Sequence, residues 1–219
     1  MKHKVVLLVG TLATVLPANA RYRIIGLGTL GGPTGAAYDI SDAGQVVGTM
    51  DTDLYAWIEP GDGYYEFSAF VWQNYETTRI DTYSLLRPDA RAWGVNDAGQ
   101  VVGEAEVMYG AKPIAFVWKD GLGSRLAGLD GLGKYSGARD INEAGYIVGY
   151  VYTGATHLCD NDESQYCRAQ HAFVWQDGVA TDLGTLGGYD SSAAGINDFS
   201  QIVGWAETGE GWSRAFRWE

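Results

Sequence analysis

Two stretches of this chain concentrate carboxylates and aromatic rings. Asp51, Asp53, Tyr55, Trp57, Glu59, Asp62, Tyr64, Tyr65 and Glu66 fall in the first; His157, Asp160, Asp162, Glu163 and Tyr166 fall in the second. Aromatic faces stack on the CH faces of sugar rings and carboxylates accept from hydroxyls, so this mixture suits a glycan. It suits a protein surface equally, because Tyr and Trp are enriched where proteins meet. The candidate binding residues are Asp53, Trp57, Asp62, Tyr64, Tyr65, His157, Asp160, Asp162 and Tyr166. Trp57, Tyr64, Tyr65 and Tyr166 would be the ring anchors. A pair of these carboxylates, or His157 with Tyr166, would alternatively be the acid and base of a glycan hydrolase or lyase. Solvated loops whose rings pack locally are the plain alternative.

Asp160, Asp162 and Glu163 also form an oxygen-rich run of the kind a calcium ion favours. It is not an EF-hand loop, since Gln165 stands where that loop turns on glycine. Calcium is therefore the metal this run would suit; the two histidines beyond residue 20, without a cysteine cluster, argue against structural zinc, and no other cofactor is expected. The only two cysteines, Cys159 and Cys167, bracket the same run. In an oxidising compartment they are expected to pair, which on the chain-entropy account contributes roughly 2–3 kcal/mol.

Other motifs fail for want of context. Gly26-x-Gly28-x-x-Gly31 matches a dinucleotide fingerprint, but Gly32-Pro33 follows it and no helical pattern appears to hold a pyrophosphate. His171 opens an apolar run and reads as a satisfied structural histidine. Neither Gly-x-Ser-x-Gly nor His-Glu-x-x-His is present.

The elements that position these residues come from a repeat. Gly44-Gln45-Val46-Val47-Gly48 returns as Gly99-Gln100-Val101-Val102-Gly103, Gly145-Tyr146-Ile147-Val148-Gly149 and Ser200-Gln201-Ile202-Val203-Gly204. A second phrase follows each copy: Ala69-Phe70-Val71-Trp72, Ala115-Phe116-Val117-Trp118, Ala172-Phe173-Val174-Trp175 and Ala215-Phe216-Arg217-Trp218. A period of roughly 40 to 60 residues marks a repeat architecture. β-branched and aromatic runs bounded by Gly, Asn and Asp read as strands, and no amphipathic helix is expected.

Each repeat divides into strands a to d. Strand a is small and Ala-rich, b carries the Val-Val or Ile-Val pair, and c is Ala-Phe-x-Trp. Strand d is placed at Ile24 to Leu30, Arg79 to Leu86, Arg125 to Leu129 and Thr181 to Leu186. The apolar runs in b and c are nearly continuous, as in strands covered on both faces. The expected fold is all-β: a small β-propeller of four blades, each of four antiparallel strands. The N-terminal strand would join the last blade and close the ring. A β-solenoid, or a fragment that assembles with a second copy, is the competing arrangement. The acidic and aromatic stretches lie between strands b and c of repeats one and three, so they would rise from one face of the ring. Long insertions on one face of a repeat array mark binding surfaces.

Residues 1–20 have a basic start, an apolar run and Ala18-Asn19-Ala20, the pattern of a removed signal peptide. One domain spanning 21–219 then remains, exported to the periplasm or beyond. The formal charge is −12, and losing Lys2 and Lys4 makes it about two units more acidic. That argues against nucleic acid and anionic membrane surfaces as partners, and no later apolar run is long enough for membrane insertion.

The repeat phrases, with His171-Ala172-Phe173, Leu27-Gly28-Thr29-Leu30-Gly31-Gly32 and Leu183-Gly184-Thr185-Leu186-Gly187-Gly188, resemble the HAF-repeat family of extracellular bacterial proteins. The resemblance implies an exported, propeller-like protein and transfers no catalytic residue. The leading expectation is an exported, non-catalytic binding or adhesion module for a glycan or protein surface. A glycan hydrolase or lyase, and a purely structural surface-layer component, are the alternatives.

Overall fold

The structure, a computed structural model, describes residues 23–59, 62–82, 89–106, 112–133, 135–159 and 162–219. Of these, 54–59, 62–65, 158–159 and 162–166 are described by backbone alone. Residues 1–20, read above as an expected signal peptide, and Asp160 lie outside the described residues.

The chain forms four antiparallel sheets, each made of consecutive strands. The first holds β1 (Gly31–Ile40), β2 (Val46–Glu59), β3 (Asp62–Gln73) and β4 (Glu76–Arg79). The second holds β5 (Ala90–Val95), β6 (Val101–Ala105), β7 (Ile114–Lys119) and β8 (Leu122–Arg125). The third holds β9 (Tyr135–Ile141), β10 (Ile147–Cys159), β11 (Asp162–Gln176) and β12 (Val179–Gly184). The fourth has three strands, β13 (Gly187–Ile196), β14 (Ile202–Thr208) and β15 (Ser213–Trp218). Among the described residues the helical content is a single 3₁₀ turn, Leu129–Gly131. No described helix is long and apolar enough to cross a membrane.

Strand d begins earlier than the sequence reading placed it. Two-residue turns with positive φ, Asn74-Tyr75, Asp120-Gly121 and Asp177-Gly178, return the chain immediately after strand c. Such turns match the right-handed twist of a hairpin. The expected strand at Ile24 to Leu30 differs more. Residues 23–29 are irregular, and the fourth sheet is not extended by them. The Leu27 carbonyl instead accepts from the Thr77 hydroxyl on β4, and Leu27 packs on Val46, Met50 and Phe70 of the first sheet.

Consecutive sheets pack face to face. Val47, Ala69 and Val71 of the first meet Val95, Val101 and Phe116 of the second. Val102 and Ala115 meet Ile147, Val151 and Phe173 of the third; Val148 and Ala172 meet Ile196 and Ile202 of the fourth. Every residue of β6 is therefore buried, as the unbroken apolar run required.

Polar turns join the repeats edge to edge. The Ala43 N–H donates to the Asp97 carboxylate at 2.8 Å, the Asp97 N–H to Glu143 at 2.9 Å, and the Glu143 N–H to Asp198 at 3.0 Å. The Asn96 side chain donates to the Asn142 carbonyl, and that of Asn142 to the Asn197 carbonyl. Each turn thus satisfies backbone groups of a neighbouring turn that would otherwise need water.

The two b–c insertions form paired strands rather than loops. Tyr55 pairs with Tyr65 and Trp57 with Gly63 in the first arm; Thr156 pairs with Arg168 and His157 with Cys167 in the third. Aromatic and β-branched content sustains the hairpin beyond the body of each sheet.

Candidate functional site

A β-bulge falls at the same place in all four sheets. The a–b register skips one residue between Ala37 and Asp39, between Ala92 and Gly94, between Ala138 and Asp140, and between Ala193 and Gly195. The skipped residues are Tyr38, Trp93, Arg139 and Ala194. A bulge turns its extra side chain out of the alternation of the strand. These four side chains converge on one cavity of about 590 Å³.

The repeated phrase supports that bulge. A Cβ at its last glycine would collide with a strand-a carbonyl: Gly48 with Ala36, Gly103 with Arg91, Gly149 with Gly137, Gly204 with Ser192. Close backbone approach at a bulge selects glycine. The first glycine serves the turn, with φ of 80° at Gly44, 73° at Gly99 and 81° at Gly145, and Ser200 takes φ 59° in the fourth copy.

The cavity walls differ from repeat to repeat. Tyr38 and Trp93 stack with ring centroids 4.4 Å apart. The Arg139 guanidinium lies 4.7 Å from the Trp93 ring centroid and 5.0 Å from that of Tyr150. Its Nη1 is 3.5 Å from Oε1 of Glu104, and the Tyr150 hydroxyl donates to Oε2 of Glu104 at 2.8 Å. Glu104 is buried, and these two donors partner both of its carboxyl oxygens. Burial, and then the neighbouring Glu104 carboxylate, push the Tyr150 hydroxyl well above its ordinary pKa, so it remains a neutral donor. Tyr152, Gln170, Ser192 and Trp205 complete the wall.

This site was missed in the sequence because its residues are scattered singly over the four repeats. The available signal was the variable position three residues before the turn: Tyr38, Trp93, Arg139 and Ala194, each directly after an alanine.

The sequence-derived candidates sit elsewhere, on the two arms. Asp53 is exposed on β2 beside Gly31. The side chains of Trp57, Asp62, Tyr64, Tyr65, Asp162, Glu163 and Tyr166 lie outside the described residues, as does Asp160 entirely. His157 lies on a paired strand with its side chain largely covered. Its ring stacks on Tyr189 at 4.5 Å and 7°, its Nε2 is 4.0 Å from an Asp190 carboxylate oxygen, and its side chain is 9% exposed. The hairpin lays it against the start of β13. His171 is satisfied as expected, with Nδ1 2.7 Å from Asp182. Cys159 and Cys167 lie on paired strands near the tip of the third arm, where His157 faces Cys167 and Cys159 faces Asp162. Among the described residues no cluster of three His, Cys, Asp or Glu side chains is placed to hold a metal.

One carboxylate outside the cavity is strongly perturbed. Asp89, just before β5, accepts from the Phe67 N–H at 3.3 Å. Burial raises its pKa to about 6, with Glu106 and Glu66 adding to the rise. Asp190 makes the same contact one pair of repeats later, accepting from the Gln170 N–H at 2.8 Å.

Comparison with protein-family models, curated proteins and solved structures found no match.

Proposed function

We propose that this chain is an exported, non-catalytic binding module whose central cavity and two arms recognise a glycan. The observation that carries the reading is the fourfold bulge. One backbone device is repeated to deliver four side chains to one place, and those side chains differ. A merely structural axis would be served by the same small residue each time. Aromatic rings with a few polar groups in a concave site are what ligand sites require. The arms rise from the first and third repeats, and their rings and carboxylates suit the outer part of an extended glycan.

The same reading takes the four sheets as blades of a propeller. Leu27 packs against the first sheet as Leu126 packs against the third, which supports reading residues 23–26 as a strand d that would form on ring closure. Closure would pair that segment with β15 and carry the turn ladder from the Asp198 N–H to Asp42. Export, the Cys159–Cys167 disulfide, calcium at the third arm and membership of the HAF-repeat family belong to this proposal.

The test is a broad glycan array run on the folded protein with calcium and again with chelator. Reproducible binding that Trp205→Ala abolishes supports the cavity; binding that only Trp57→Ala abolishes moves the site to the arms. A clean negative on folded protein sinks the reading and leaves a protein partner or a structural role.

A second reading has one observation behind it. Asp89, with a pKa near 6 beside Glu66 and Glu106, is the kind of carboxyl pair a glycoside hydrolase uses. The matching contact of Asp190 favours a structural cap instead. Hydrolysis of any glycan that Asp89→Asn eliminates, with the fold intact, would reverse that preference.

A further inference from the structure

The four bulge positions fill three sides of the cavity and leave the fourth empty. Tyr38, Trp93 and Arg139 form a continuous stack, whereas Ala194 presents only a methyl group. Beside that gap stands Trp205, 38% exposed, paired by register with Ser192 and with no ring or cation partner among the described residues. Its neighbours Ser192 and Gln170 bring hydroxyl and amide groups to the rim. The Trp205 indole and the Arg139 guanidinium therefore line the same cavity as Ala194.

That guanidinium is positioned but not used up. Glu104 contacts it through Nη1, at 3.5 Å, while the Trp93 and Tyr150 ring centroids lie 4.7 and 5.0 Å from its central carbon. Arginine has five N–H donors, and the remaining nitrogens are not sealed from solvent without a partner. A planar fork fixed this way recognises a carboxylate in two parallel bonds and loses little freedom in doing so.

We infer that the Ala194 gap takes an acidic sugar, a uronic-acid residue of a glycan, with its carboxylate on Arg139 and its ring against Trp205. This rests on the glycan-binding reading and narrows it. A neutral sugar would meet the remaining arginine donors with hydroxyls alone, a weaker match than a charge-assisted pair. A phosphate would bring nearly two charges to a single arginine in a chain of net charge −12. A carboxylate brings one.

The experiment uses oligosaccharides of galacturonic, glucuronic and mannuronic acid, each beside its carboxyl-reduced neutral counterpart, titrated calorimetrically into the purified protein. The expected result is that at least one acidic form binds about tenfold or more tighter than its reduced form, the scale of a charge-assisted contact. Removing Arg139 alone would strand the buried Glu104, so the informative variant is R139Q combined with E104Q. It should lose the preference for acid while Ala194→Trp, which fills the gap, loses binding of both forms. Arg139→Lys should restore the preference only in part, since it returns the charge without the fork. Equal binding of acidic and reduced forms, with Ala194→Trp still abolishing both, overturns the acidic assignment and leaves the glycan site standing. Binding of neither form by folded protein overturns the acidic assignment, and the wider array then decides the glycan reading.

Discussion

The second and fourth sheets carry nearly the same phrases in different surroundings. Val102 in the second is 0% exposed, whereas its counterpart Val203 in the fourth is 50% exposed. Ala115 and Phe116 are fully buried, but Ala215 is exposed and Phe216 only partly covered. The second sheet has a neighbour on each face. Among the described residues the fourth shares its apolar cluster with the third, and β15 has no outer strand beside it. Each repeat is therefore built for two neighbours, and its place in the array decides how many it has. A half-exposed valine forfeits about 1 kcal/mol of the stabilisation that full burial supplies.

Truncating the two phenylalanines gives the largest test of that contrast. Phe116→Ala should cost about 3–5 kcal/mol in denaturant unfolding, and Phe216→Ala about half as much. The smaller loss at Phe216 would remove ring closure from the propeller proposal, whereas equal losses would mean that β15 is covered in solution, as closure requires.

The two arms offer a second contrast, because only the third carries cysteines. Thiol titration of the unfolded, unreduced protein should find no free thiol, and reduction should lower stability by about 2–3 kcal/mol on the chain-entropy model. Two titratable thiols would remove the disulfide from the account.

The valine pair sharpens the comparison at smaller scale. Val102→Ala should cost about 2 kcal/mol, while Val203→Ala should stay within about 0.5 kcal/mol. A Val203 cost as large as that of Val102 would place the first sheet over the fourth.

The smallest effect is a pH dependence at the junction of the first two sheets. The folded pKa of Asp89 is raised, to about 6, chiefly by burial. Its contribution is complete below the ordinary carboxylate range, near pH 4, and is lost as pH rises through 6. For a half-buried group, solvent screening reduces this to about 1 kcal/mol. Asp89→Asn should flatten stability between pH 4 and 6; an unchanged slope would mean another group controls it.

Strand content, the number of sheets and the identity of strands a, b and c could be read directly from the repeated phrases. Strands d could not, because Asn74-Tyr75 does not resemble the usual two-residue turn and the strands that follow the three turns, such as Glu76–Arg79, are short and lack a repeated phrase. The insertions were found by spacing, but their pairing as arms was hidden. Hairpin register is a matter of which residues pair across the strands, as Tyr55 does with Tyr65, and not of composition. His157 shows the same limit. Its neighbour Tyr189 is 32 residues away in sequence, and only packing brings the rings together.

The sequence alone determined that this protein is a fourfold β repeat, because periodic apolar strands and glycine turns are local properties, written out once per copy. It also determined where glycine must stand, since the bulge needs it at Gly48, Gly103, Gly149 and Gly204. Only the tertiary structure decided that Tyr38, Trp93, Arg139 and Ala194 share a cavity and that Val203 lies open while Val102 does not. Those outcomes depend on how whole sheets stack, and the stacking is set by the summed fit of many side chains between residues far apart in the chain.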